Sequence, residues 1–93
     1  MHALVVRVTI HNTDRTRDVL NNQVVPGVSS APGFKTGYWT WQPSSGETNG
    51  LSMVIFDSED GANRAADLAR EMVQDIDSVE LEGVEVREVV AHA

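Results

Sequence analysis

The pattern along the chain opens with alternation over Ala3–Ile10. Leu4, Val6, Val8 and Ile10 share one parity, and Ala3, Val5, Arg7 and Thr9 share the other. β-Branched residues dominate, and the first half is apolar on both parities. That predicts a strand in the middle of a sheet rather than at its edge. His11-Asn12-Thr13-Asp14 ends the alternation, with Thr13 the expected helix cap and Asp14 complementing the positive helix end. Thr16, Val19, Leu20, Gln23 and Val24 then recur at helical spacing. This helix is expected to end near Val25, because Pro26 and Gly27 follow and the residue before a proline avoids the helical region. Val28–Gly33 reads as a loop.

Phe34–Gln42, rich in aromatics and threonine, predicts a second strand. Pro43–Gly50 predicts a turn and Leu51–Phe56 a third strand, the two strands forming a hairpin. Asp57-Ser58-Glu59-Asp60 is a helix start with acidic first-turn residues. Ala62, Ala65, Ala66, Ala69, Met72, Val73 and Ile76 then follow the i, i+3, i+4 pattern, and the alanines make that face flat enough to lie close on a sheet. In the tail, Val79 and Leu81 share one parity and Val84 and Val86 the other, with Gly83 between; one inserted residue that flips the face predicts a β-bulge in a fourth strand running to about Ala91. Strand, helix, strand, strand, helix, strand is the split βαβ order. Right-handed crossovers place both helices on one face of a four-stranded antiparallel sheet, in the spatial order fourth, first, third, second. The expected fold is therefore α+β, ferredoxin-like βαββαβ, as one domain over residues 1–93. Its uncovered face is expected to carry Trp, Tyr, Val and Met, so two such sheets packed face to face would cover each other as a homodimer.

Composition narrows the function classes. A chain of 93 residues has a thin core, and a second subunit would add useful burial. It contains no cysteine, which removes disulfides, thiolate nucleophiles and thiolate metal sites and fits a cytoplasmic location. No secretory signal is visible, and no run approaches the ~20 apolar residues that span a bilayer. Seven Lys and Arg stand against 14 Asp and Glu, for a net charge of −7. Such a surface repels phosphate backbones and anionic lipid, so neither nucleic acid nor membrane is an expected partner. The three histidines are scattered, no calcium-loop or phosphate-loop spacing occurs, and no histidine neighbours Ser44 or Ser45 in sequence. Metal sites, nucleotide loops and hydrolase triads are not expected.

The run P-G-F-K-T-G-Y-W-T-W (Pro32–Trp41), followed by G-L-S-M-V-I-F-D-S-E-D-G-A (Gly50–Ala62), resembles the dimeric α+β barrel superfamily, including its antibiotic-biosynthesis-monooxygenase-like domains. The resemblance implies the same fold and a homodimer. It does not imply one activity, since the superfamily hosts oxygenases, isomerases, haem-degrading enzymes and proteins with no established activity. The haem-degrading branch would need a histidine and a tryptophan on or near the second helix, and residues 57–77 contain neither. The cofactor-independent oxygenase branch is the better likeness. It implies no cofactor, and a pocket on the sheet's inner face where polar and aromatic side chains hold an aromatic or polyketide substrate.

Six residues are candidates for such a pocket. Tyr38, Trp39 and Trp41 suit a stacking wall for a planar ligand, or else fill the core or a dimer interface. Arg7, a charge on a central strand, suits an anionic ligand or a developing enolate, or else pairs with Glu85, Glu88 or a carboxylate of a partner subunit. His11, beside Asn12, suits a base at a pocket mouth, or else is a turn residue. Met53 completes the set from the third strand. Two functions follow from the pattern: a monooxygenase-like enzyme or binder of a small hydrophobic or aromatic molecule, or a non-catalytic dimerisation domain. Under the second, Trp39→Ala or Trp41→Ala breaks the dimer.

Overall fold

The computed structural model describes residues 1–93, apart from the side chain of Ser44. β1 (His2–Ile10) leads into α1 (Thr13–Val19), a π-helical turn (Leu20–Val24) and α2 (Val25–Ser29), which together form the first crossover. β2 (Phe34–Ser44) and β3 (Glu47–Phe56) form a hairpin, and α3 (Glu59–Gln74) leads to β4 (Val79–Glu88). The sheet is antiparallel in the order β2-β3-β1-β4. This is the ferredoxin-like βαββαβ fold and the strand order that the apolar first strand required. β1 is central, and Ala3, Leu4 and Val5 are buried in succession, Ala3 and Val5 shielded by the side chains of the strands on either side of β1.

The β1–β4 register pairs Arg7 with Gly83 and Val8 with Leu81, so Glu82 is the extra residue of a bulge. The bulge returns Val79 to the parity of Val84 and Val86, opposite Ile10, Val6 and Leu4 respectively. That parity faces the helices. Leu4, Val54 and Phe56 are the largest fully buried side chains, and the Phe34 and Phe56 rings meet edge to face at 6.2 Å. Ala62, Ala65 and Ala66 are buried against them, so α3 lies close to the sheet along its first half.

Four local expectations are corrected. Asn12, not Thr13, caps α1: its side chain accepts the Arg15 N–H at 3.0 Å. The first helix does not stop at Val25. The Val25 N–H bonds to the Leu20 carbonyl, a widened turn that relieves the clash of the Pro26 ring with the preceding backbone, and Pro26 then sits in the first turn of α2, where its missing N–H costs nothing. The hairpin turn is far tighter than Pro43–Gly50: Ser45 (φ 51°) and Gly46 (φ 84°) are both left-handed, as in the two-residue turn whose twist matches paired strands. Pro43 is tolerated because β2 is an edge strand. Finally, β4 stops at Glu88 rather than Ala91, since its partner β1 begins at His2, opposite Glu88.

No helix is long and apolar enough to cross a membrane, and among the described residues no group of His, Asp and Glu converges as a metal site would require.

Candidate functional site

The alanine face of α3 gives way in its second half to Met72 and Val73, followed by Ile76 just past the helix end. These larger side chains face the sheet across a space that is not filled. A cavity of about 90 Å³ opens there, walled by Val6, Val8 and Ile10 of β1, by Val19, Leu20 and Val24 of the first crossover, and by Ala69, Met72, Val73 and Ile76. The hydroxyls on its wall are those of Thr16 and Ser52, while Thr40 borders it through its backbone and turns its hydroxyl to the Leu51 carbonyl; no charged or titratable side chain lines it among the described residues. The Thr16 hydroxyl donates to the Asn12 carbonyl at 2.7 Å and lies 2.8 Å from the Ser78 hydroxyl. A void walled this way holds apolar guests, because water entering it would find few partners.

Trp39 and Trp41 border both the cavity and a neighbouring outer groove of about 450 Å³, which is also lined by Arg17, Leu20, Asn21, Val25 and Thr40. Two glycines make room for them. A Cβ on Gly37 would lie 3.0 Å from the Trp39 ring, and Gly50 pairs directly with Trp41 across the ladder. A Cβ on Gly50 would meet Val8 at 2.7 Å, so any side chain there would crowd the cavity floor. Over Trp41 lies the Arg17 guanidinium, 4.9 Å from the ring centroid.

The structure divides five of the six sequence candidates between the two faces of the sheet and leaves His11 past its edge. Trp39 and Trp41 take the parity that faces the helices, so the uncovered face does not carry the tryptophans, contrary to expectation. The cavity likewise lies between sheet and helices, not on that uncovered face. The reason is register: Trp39 pairs with Ser52 and Trp41 with Gly50, and the even-numbered parity of β3 is the buried one. Tyr38, Met53 and Arg7 lie on the other parity. Tyr38 and Met53 are 68% and 45% exposed and adjacent in one cross-strand row with Val5. His11 stands beyond the end of β1, its Nε2 3.6 Å from a Glu80 oxygen, away from both tryptophans.

Arg7 makes the ion pair weighed for it with Glu85, which also accepts from Arg87 Nε at 3.0 Å. The hydrogen bond from Arg7, and then that from Arg87, hold the Glu85 carboxyl below the usual carboxylate range. A lowered pKa means that the cluster stabilises the fold above the ordinary carboxylate range and loses that contribution as pH falls through the folded value. Glu85→Gln is therefore expected to flatten the loss of stability between about pH 7 and about pH 3. Urea unfolding midpoints at the two pH values check it, and an unchanged difference refutes the role given to Glu85.

Sequence pattern missed Arg17 and Asn21. Each flanks the apolar stripe of the first helix, Arg17 next to Thr16 and Asn21 next to Leu20, and they are one turn apart on one side of it. That spacing was the available signal; only the position of Trp41 gives it meaning.

No protein-family model matches the chain, and no curated protein does. Solved structures match in fold. A de novo designed protein, Foldit4, aligns with 95% of this chain and 97% of its own at a TM-score of 0.72 and 13% identity. A dimeric ferredoxin-like protein from an uncultured marine organism aligns over 100% and 98%, at 0.65 and 8%. The monooxygenase ActVA-Orf6 of Streptomyces coelicolor, solved with nanaomycin D, aligns over 99% and 92%, at 0.54 and 14%. These likenesses show the ferredoxin-like fold.

Proposed function

We propose that the chain forms a homodimer through the uncovered sheet face and binds a small hydrophobic, aromatic molecule shared between the cavity under the helices of each protomer and the groove beside Trp39 and Trp41. The cavity carries this reading: an apolar pocket with two hydroxyls, and two indoles shared with a neighbouring groove, is what a planar apolar guest needs. The likeness to a monooxygenase solved with nanaomycin D supports the ligand class, and the dimeric ferredoxin-like neighbour supports the assembly. The cavity lining supplies no general base, so monooxygenase-like chemistry on a bound molecule would need dioxygen as oxidant, one oxygen atom entering the ligand and the other leaving as water, with the protons and electrons drawn from the ligand itself.

Filling the void tests the reading. Ala69→Leu places three more carbons in the cavity, and cavity-filling changes commonly leave stability equal or higher by about 0.5–2 kcal/mol. Naphthalene should raise the melting temperature of the wild-type protein by mass action and leave Ala69→Leu unmoved. An equal shift in both proteins places the naphthalene elsewhere and rejects this cavity as its site.

A second reading, a dimerisation domain with no ligand, is favoured by the likeness to a designed protein, since the fold evidently stands on packing alone. It predicts an intact dimer with no naphthalene response.

A further inference from the structure

We infer that the ligand is an aromatic carboxylate, its ring lodged beside Trp39 and Trp41 and its carboxylate received by Arg17 at the mouth of the groove. This rests on the cavity being a ligand site and narrows what that site takes.

The argument begins with the fate of the arginines. Arg7 and Arg87 pair with Glu85, Arg15 with Asp77 and Arg70 with Asp67. Arg17 and Arg64 pair with no carboxylate among the described residues, in a chain where acidic residues outnumber basic ones two to one. Of the two, it is Arg17 that lies over an aromatic ring, that of Trp41. A cation held over the face of an indole spends no N–H donor on a carboxylate, and a guanidinium's free donors can grip a carboxylate with two parallel hydrogen bonds. Asn21, one turn along, adds amide donors to the same groove, and no acidic side chain lines it. Elsewhere the net charge of −7 repels anions, so a cation left without a partner beside an apolar pocket confers selectivity for an anionic head on an apolar body. The segment bearing Arg17 also packs more sparsely on the sheet than α3 does, and its π-helical turn forms one cavity wall, so a guest has a route between helix and sheet.

Isothermal titration with 2-naphthoate and its neutral counterpart naphthalene-2-carboxamide separates the steps. The wild-type protein should bind the acid at least ~10-fold more tightly than the amide. Arg17→Met, a change at an exposed position that preserves an apolar cover for Trp41, should bring the acid down to the affinity of the amide while leaving the amide unchanged. Added salt should narrow the wild-type gap. Equal wild-type affinities overturn the carboxylate and leave the cavity standing. Parallel loss of both ligands in Arg17→Met also overturns it, since Arg17 would then serve only to hold Trp41. No binding of either compound overturns the cavity reading and the carboxylate together.

Discussion

Phe56→Ala should cost about 3–5 kcal/mol of stability, the usual loss when a fully buried phenylalanine leaves a void. Phe56 is 0% exposed, its ring meets Phe34 edge to face, and Ala62, Ala65 and Ala66 are buried in the same cluster. The surroundings cannot collapse into the gap, because the backbone there is fixed at a turn. The Asp57 N–H bonds to the Gly33 carbonyl at 2.9 Å, and Gly33 has φ +83° with Asp57 Oδ1 only 2.3 Å from where a Cβ would stand. A domain this small carries roughly 5–15 kcal/mol in total, and each kcal/mol moves its melting temperature by roughly 4–8 °C. The variant should melt at least ~12 °C lower, and calorimetry reads the change directly. A loss under about 1 kcal/mol would mean that the Phe56 cluster is not the part of the core that holds the sheet to α3.

The same end of the molecule shows why the fold was legible. Strand and helix periods, the alanine face of α3 and the parity break at Gly83 each report a local backbone state, and local states in the right order determine this topology. What decides the site is the pairing between strands. In β2 one parity holds Tyr38 among threonines and the other holds two tryptophans beside a glycine; neither is plainly the buried set. The choice is made by β3, where Gly50 and Ser52 leave space opposite Trp41 and Trp39. Helical spacing likewise marked Leu20, Val24, Met72 and Val73 as inward-facing without showing that they fail to meet. A cavity is a deficit of volume summed over every element of the fold, and no single segment carries its signature. Pro26 misled for a different reason. The proline rule assumes a regular helix, and the π-helical turn before it is not one.

Met53→Lys should convert the proposed homodimer to monomers. Met53 is central to the uncovered face, flanked across the sheet by Val5 on β1 and Tyr38 on β2. With Leu51 it forms an exposed apolar patch on that face. A two-fold interface doubles every substitution, so two ammonium groups would be buried at each contact. Neither gains a partner nearby: Glu85 is held already by Arg7 and Arg87, and those arginines would repel a third cation. Burying an unpaired charge costs several kcal/mol, and each 1.4 kcal/mol is tenfold in affinity, so the dissociation constant should rise at least ~100-fold. Within a protomer the change touches a side chain that is 45% exposed, so far-ultraviolet circular dichroism should keep its wild-type form. Met53→Leu should remain dimeric, separating charge from shape. Because Trp39 and Trp41 face the helices, Trp41→Ala should also remain dimeric while losing naphthalene binding, the reverse of what a dimer built on the tryptophans would show. Sedimentation at micromolar concentration decides it. A Met53→Lys protein that still sediments as a dimer places the interface on another surface, whereas a monomeric one whose naphthalene response survives shows that each protomer holds its cavity without help from its partner.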